Sequence, residues 1–278
     1  MTLFKDLKNK LSIPNYSRVR IAQATMYLLV IGTLFTNFDL GLMLLGFVLG
    51  YILFTVGVSV SLHKYVSHRA LEPRNRLVKH FLLWMGTLTT LGTPIEFAAG
   101  HRTHHIHSDT EKDPFVLKNS LLHNIKLWFL WMEVDKINPR MVIDLMKDLD
   151  MKFYHSHYWK IWSIYPIILF IVDPALVVYL FALPVVYCLL GMSWVTVLAH
   201  SQLAQRATQG TKPHSTADKS WDSLLFSLLF AGEGYHETHH AYPGERNYGR
   251  KNGRFDLSGE IADLFAKCDE SAESHLQP

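Results

Sequence analysis

The chain of 278 residues has little cysteine: two residues, Cys188 inside an apolar run and Cys268 in a polar tail. Two thiols so placed exclude a disulfide framework and a thiolate metal site, which needs clustered cysteines. It also has little charge. Asp, Glu, Lys and Arg make up 18% of it, against about 25% in soluble domains. That excludes a disordered or fibrous protein and speaks against an ordinary soluble enzyme. The net charge of +3 is too small to argue for nucleic acid, and no nucleic-acid partner is expected. No internal repeat, low-complexity tract, flavin motif, ferredoxin cysteine set or cytochrome b5-like segment is recognisable.

What is abundant is hydrocarbon and imidazole. Hydrophobic residues make up 49%, and there are 16 histidines; the mean hydropathy is +0.10. Residues 21–38 and 40–62 are uncharged apolar runs separated by Asn37-Phe38-Asp39. A second apolar block, broken at Asp173-Pro174, gives stretches near 159–172 and 175–199. A bilayer core takes roughly 20 residues of helix, and the two polar breaks read as tips of helical hairpins. The first run is not expected to be a cleaved signal peptide, because its polar lead is long and a second run follows at once.

Lys and Arg fall in 1–20 (Lys5, Lys8, Lys10, Arg18, Arg20), in 63–80 and in 200–254, whereas the tips carry Asp39 and Asp173. The positive-inside rule then places both termini in the cytoplasm. The expected fold is an all-α, multi-pass integral membrane protein. Four transmembrane helices (21–38, 40–62, 159–172, 175–199) form two hairpins in one domain, 1–278. A cytoplasmic helical cap (63–158 and 200–278) holds a histidine-rich dimetal site. No sheet is expected, since a medium without water favours helices that satisfy their own backbone.

Nine of the histidines fall in a pattern. HKYVSH spaces His63 and His68 as H-x4-H; HRTHH places His101, His104 and His105 as H-x2-H-H. HETHH repeats that spacing with His236, His239 and His240, and His200 stands at the end of the last apolar run. On a helix, i, i+3 and i+4 share a face, so each H-x2-H-H can aim three rings at one point or at two adjacent points. An i, i+5 pair diverges by about 140° on an ideal α-helix. His63 and His68 are therefore expected to serve different metals or to sit where the helix ends. Neutral imidazole suits iron, zinc, copper and nickel. Nine ligands exceed what one ion takes, so two metals are expected. All nine can share one side of a membrane only if 81–98 does not cross it; Gly86, Gly92, Pro94 and Glu96 agree with that. His80, His107, His123, His155, His157, His214 and His275 lack the pattern.

HKYVSH, EFAAGHRTHHIHSDTEKDP and GEGYHETHHAYP, in that order and spacing, resemble the membrane fatty acid desaturases, in the Δ9 acyl branch related to stearoyl-CoA desaturase. The resemblance runs from about 20 to 245. It implies a non-haem di-iron centre of two Fe2+ ions held by the nine histidines. With O2, it introduces a cis double bond into a saturated acyl chain, using electrons from a separate donor of ferredoxin or cytochrome b5 type. The acyl group would be carried on CoA, a lipid or acyl carrier protein. The family's asparagine four residues before the last ligand is Thr196 here, a candidate for a water-mediated metal contact. The Arg-Asp pair that contacts CoA in animal enzymes is Ala99-Gly100 here.

The resemblance also implies a kinked tunnel for the chain, with Trp194 at the kink and Tyr51 closing the far end. Glu96 matches a family glutamate. With Asp109, Asp113, Glu233 and Glu237 it is a candidate to hold the histidine rings from behind. The basic segment Arg246, Arg250, Lys251 and Arg254 is either a dock for an acidic donor or anionic headgroups, or a plain solvated tail. A related membrane hydroxylase or other lipid oxidase is the nearest rival. A metal transporter or sensor is remote, because the apolar runs are nearly free of ionisable groups.

Overall fold

The computed structural model of the chain describes residues 13–35, 38–129 and 133–267. Lys5, Lys8, Lys10, Asn37, Cys268 and His275, named above, lie outside them. Among the described residues the fold is all-helical, with no strand and only isolated bridges such as Thr211 with Asp222.

Helix α1 is Ile13–Gly32. It begins ahead of the apolar run that starts at 21, because polar side chains end a hydrophobic stretch without ending a helix. Helix α2 runs Leu40–Ser67, and Asp39 caps it by accepting from the Leu42 N–H at 2.9 Å. Helices α3 (Arg76–Leu88) and α4 (Pro94–His107) follow. No single helix passes through 81–98, since Thr90 (φ 61°) and Gly92 (φ 96°) turn the chain left-handed between them. The restart is a capping box: the Thr93 hydroxyl accepts from the Glu96 N–H, the Glu96 carboxylate accepts from the Thr93 N–H, and Pro94 occupies the first turn.

Short helices α5 (Leu121–Trp128) and α6 (Leu149–Ser156) lead to the second hairpin, α7 (Tyr158–Val172) and α8 (Pro174–Leu198). Asp173 caps α8 as Asp39 caps α2, accepting from the Ala175 N–H at 2.8 Å. The remainder is α9 (Gln202–Thr208), α10 (Leu224–Leu229), α11 (His236–Ala241), α12 (Tyr248–Lys251) and α13 (Leu257–Phe265).

Among the described residues two helices, α2 and α8, are long and apolar enough to cross a membrane, with mean hydropathies of 2.2 and 2.3. Helix α7 is apolar but has 15 residues, and α1 carries Arg18 and Arg20. Leu44, Phe47 and Val48 on α2 and Ile167, Phe170 and Ile171 on α7 are exposed. A continuous apolar exterior of this kind marks a surface meant for something other than water.

Helices α2 and α8 pack against each other around Phe54, Val58, Val185 and Leu189. Glycine sets their distance: a Cβ on Gly46 would run into the Tyr179 carbonyl, and one on Gly191 into the Phe54 ring. The lower half of α2, Phe54–Ser67, is wound as a π-helix and wholly buried. Helices α3, α4 and α13 all pack on it, so this segment is the axis of the fold.

Overpacking a tight helix contact costs about 1–3 kcal/mol. Gly46→Val, facing a backbone carbonyl that cannot move aside, is expected to cost at least that and to lower the thermal midpoint in detergent. Gly244→Ala, with open space around it, should leave the midpoint unchanged.

Candidate metal centre

The structure gathers the nine patterned histidines into two adjoining groups: His63, His68, His101, His105 and His239, and His104, His200, His236 and His240. Within each group the facing ring nitrogens all lie within 4.8 Å of one another. In the first, Nε2 of His68 is 2.7 Å from that of His101, and Nε2 of His239 is 2.7 Å from that of His105. In the second, Nε2 of His200 is 2.9 Å from that of His236. Each H-x2-H-H divides between two adjacent points: His101 and His105 turn one way and His104 the other, while His239 opposes His236 and His240.

The expectation that His63 and His68 serve different metals is corrected here, since both rings belong to the first group. The cause is the π winding. A π-helix bonds i to i+5, and the His68 N–H donates to the His63 carbonyl at 3.1 Å, so residues five apart stack on one face. The other half of the expectation also applies, because His68 is the residue that closes the helix. A second π turn, Trp194–Leu198, delivers His200. The six-residue α11 is too short to stand alone. The Asp222 carboxylate fixes its start by accepting from the Glu237 and Thr238 N–H groups at 2.8 and 3.0 Å.

The far nitrogens are held by acceptors. His63 Nδ1 lies 2.8 Å from Glu233, His104 Nδ1 3.0 Å from Asp113, and His200 Nδ1 3.1 Å from Asp109. His240 Nδ1 lies 2.8 Å from Asp218, and His239 Nδ1 3.0 Å from the Tyr248 hydroxyl. An Nδ1–H donated outward leaves the Nε2 lone pair facing inward, the tautomer a metal ligand needs. The carboxylates are pinned in turn. Asp113 accepts from the Asp109 and Phe115 N–H groups at 2.9 and 2.8 Å, and Asp109 from that of Lys219 at 2.6 Å.

Asp218 and Tyr248 join the candidates: Asp218 is remote from the histidine boxes in sequence, and Tyr248 is a phenol where carboxylates are the expected acceptors. Two candidates are corrected. Glu96 closes the capping box of α4, a role its T-x-x-E spacing from Thr93 already carries. Glu237 accepts from the His214 and Thr216 N–H groups at 3.0 and 2.9 Å, anchoring that loop. Three residues of the basic segment are paired: Arg246 with Asp263, Arg250 with Glu260 and Asp263, and Lys251 with Glu245. His80, His107, His123, His155, His157 and His214 belong to neither group.

Burial, reinforced by neighbouring rings, holds His68, His101, His105, His236, His239 and His240 well below the ordinary imidazole range, so they stay neutral. Burial alone would raise Glu233, but the neighbouring His63 and Lys64, with hydrogen bonds from His63 and Ser59, outweigh it and bring the carboxyl from 4.5 down to about 2. Lys64 is itself fully buried, 3.7 Å from Glu233 and 4.0 Å above the Tyr248 ring. The stability this network lends is complete above the ordinary carboxyl range and is lost as pH falls towards 2.

The donor set fits a pair of metal ions. Nine imidazoles with inward Nε2 atoms, His68, His105 and His240 on half-buried residues and the other six on buried ones, supply more ligands than one ion takes, and the His240 Nε2 atom has no hydrogen-bond partner. A narrow cavity of about 50 Å³ reaches His101 and His104. Thr196 lines it, its hydroxyl donating to the Met192 carbonyl at 3.0 Å. Met192 and Val195 belong to its wall, whereas Trp194 and Tyr51 do not. Trp194 packs among Trp221, Phe226 and Phe230, and the Tyr51 hydroxyl donates to the Leu228 carbonyl at 3.0 Å.

Residues 39–249 match the sequence model of a family described as fatty acid desaturase. The chain is 27% identical over 242 residues to an sn-1 stearoyl-lipid 9-desaturase of Anabaena variabilis, covering 84% of this chain and 86% of that enzyme. It is 26% identical over 227 residues to an icosanoyl-CoA 5-desaturase of Limnanthes douglasii, covering 80% of this chain and 60% of that one. It is 24% identical over 235 residues to the stearoyl-CoA desaturase of Sus scrofa, covering 78% and 62%. The chain thus spans about three fifths of the length of these last two relatives.

Removing the acceptor behind one ring while keeping its shape tests the role of that layer. Outer partners of metal ligands are worth about 10–100-fold in affinity. Glu233→Gln is expected to weaken cobalt binding by that factor in a titration of the metal-free protein, with helicity unchanged.

Proposed function

Because the chain belongs to the fatty acid desaturase family, we propose that it is an O2-dependent acyl desaturase that places a cis double bond at the Δ9 position of a saturated chain. The observation that carries this reading is the pair of adjoining five- and four-histidine groups, buried at the end of apolar helices. The nine histidines are the ligands of two ferrous ions. Such a pair supplies the oxidant, made from O2, that an unactivated methylene requires.

The chain's own residues do the rest. Glu233, Asp113, Asp109, Asp218 and Tyr248 fix the tautomers, so the inward nitrogens meet each ion without rearrangement. Thr196 offers a hydroxyl beside His101 and His104, where it can hold a water. The apolar cavity at these rings supports a hydrocarbon chain lying against the centre with water excluded. Two hydrogens leave adjacent carbons. With one O2, two electrons and two protons they give the alkene and two waters. The electrons come from an external donor of ferredoxin or cytochrome b5 type.

The same reading sets the topology. Helices α1, α2, α7 and α8 are the four membrane helices, and both termini are cytoplasmic. The residues after α2 and after α8 form the cap. The capped tips at Asp39 and Asp173, free of Lys and Arg, support this orientation.

Expression in a desaturase-deficient cell, followed by gas chromatography–mass spectrometry of total fatty acids, should reveal a new Δ9 monoene. His104→Ala should abolish it while the protein still fractionates with membranes. A hydroxylated product would move the chain to the oxygen-inserting chemistry of the same scaffold. The metal-free protein should take up two cobalt ions per chain.

A further inference from the structure

The cavity that reaches His101 and His104 has an uneven wall. Its interior is apolar, formed by Val19, Leu91, Phe97 and Val195. One strip is not: Tyr16, Arg20 and Gln23, spaced i, i+4 and i+7, come from one face of α1. Gln23 is committed, donating to the Thr90 carbonyl at 2.9 Å. Tyr16 is 7% exposed, and its hydroxyl has no hydrogen-bond partner. A buried hydroxyl left unpaired costs stability, and this one belongs to the wall of a largely apolar cavity.

Helix α1 also presents Ile21, Leu28 and Ile31 outward. The cavity therefore lies one helix in from an apolar exterior. On the proposed topology, Tyr16 and Arg20 stand near the cytoplasmic headgroup level, since α1 starts on that side. Ala99 and Gly100, just before the second histidine box, are both buried and without charge.

We propose that Tyr16 donates its hydroxyl to the ester carbonyl of an acyl chain that is still part of a membrane glycerolipid. Arg20, one turn further on, faces the lipid phosphate. The chain runs from this polar end along Val19 and Phe97 to His101 and His104. This rests on the desaturase reading, which it narrows to one carrier class. Tyr16 is a positioning residue: it fixes how far the chain extends past the histidines and hence which carbons react.

The test has a binding arm and a turnover arm. In the first, native mass spectrometry follows retention of distearoyl-phosphatidylglycerol by metal-free wild type and Tyr16→Phe. One neutral hydrogen bond predicts retention about three- to tenfold weaker in the variant. Equal retention would overturn the proposal, whatever the enzyme catalyses. In the second arm, iron-loaded protein with an electron donor is given the same lipid in nanodiscs, or stearoyl-CoA.

Wild type should desaturate the lipid-esterified chain. Tyr16→Phe should raise KM by the same factor, leave kcat within about twofold, and spread the double bond over neighbouring positions. Turnover of stearoyl-CoA but not of the lipid would sink the proposal while leaving the desaturase reading intact. Lipid retention that depends on Tyr16, without turnover of either substrate, would sustain the lipid subsite and sink the desaturase reading. Arg20→Gln should weaken retention of the anionic lipid more than that of distearoyl-phosphatidylcholine; equal weakening would remove Arg20 from the subsite.

Discussion

Nine imidazoles cannot be taken out of water at one place unless each is kept neutral and aimed. Most of the architecture is a response to that requirement. A buried ring nitrogen without a partner is costly, and like charges this close would repel. Burial and mutual proximity settle the protonation of six rings. Carboxylates and a phenol settle the orientation of five, drawn from several separate segments of the chain. The loops carrying Asp109, Asp113 and Asp218, and the short helices around Asp222 and Tyr248, exist in these positions because ring nitrogens and helix starts there need them.

The same constraint orders the apolar region. Helix α2 must deliver His63 and His68, and α8 must deliver His200, at one level; both become π-wound as they approach it. Close glycine contacts lock the two helices together above that level. The pair acts as a rigid stem, and α3, α4 and α13 assemble against its base. The rings are thus carried on packed helices rather than on loops, which suits a site whose ligands must not drift by even an ångström.

Much of this was legible in the sequence. The apolar runs located α2, α7 and α8 to within about five residues, while α1 starts at Ile13, ahead of its run, and is not among the helices apolar enough to cross a membrane. The spacing H-x2-H-H announced that three rings share a helical face, and a count of nine argued for two ions. What was not legible depended on neighbours distant along the chain. Asp218 reaches His240 only through folding, whereas Tyr248 lies as near to His239 in sequence as Asp113 does to His104 and differs in being a phenol. Glu237 was read as a ring partner although a loop of backbone N–H groups competes for it. Arg246 and Arg250 look like part of a free basic run because their counter-charges, Glu260 and Asp263, sit on the next helix. Glu96 differs in kind: its capping box with Thr93 is written locally, and a helix-start reading would have found it.

The π winding of Phe54–Ser67 bears on how such boxes are compared between chains. In an α-helix the residues that stack one turn apart are i and i+4; in this segment they are i and i+5. H-x3-H on one winding and H-x4-H on the other are therefore the same ligand geometry, differing by one residue taken into the backbone. A gap of one within a histidine box need not signal a lost ligand, and an alignment that penalises it would separate sites that superpose.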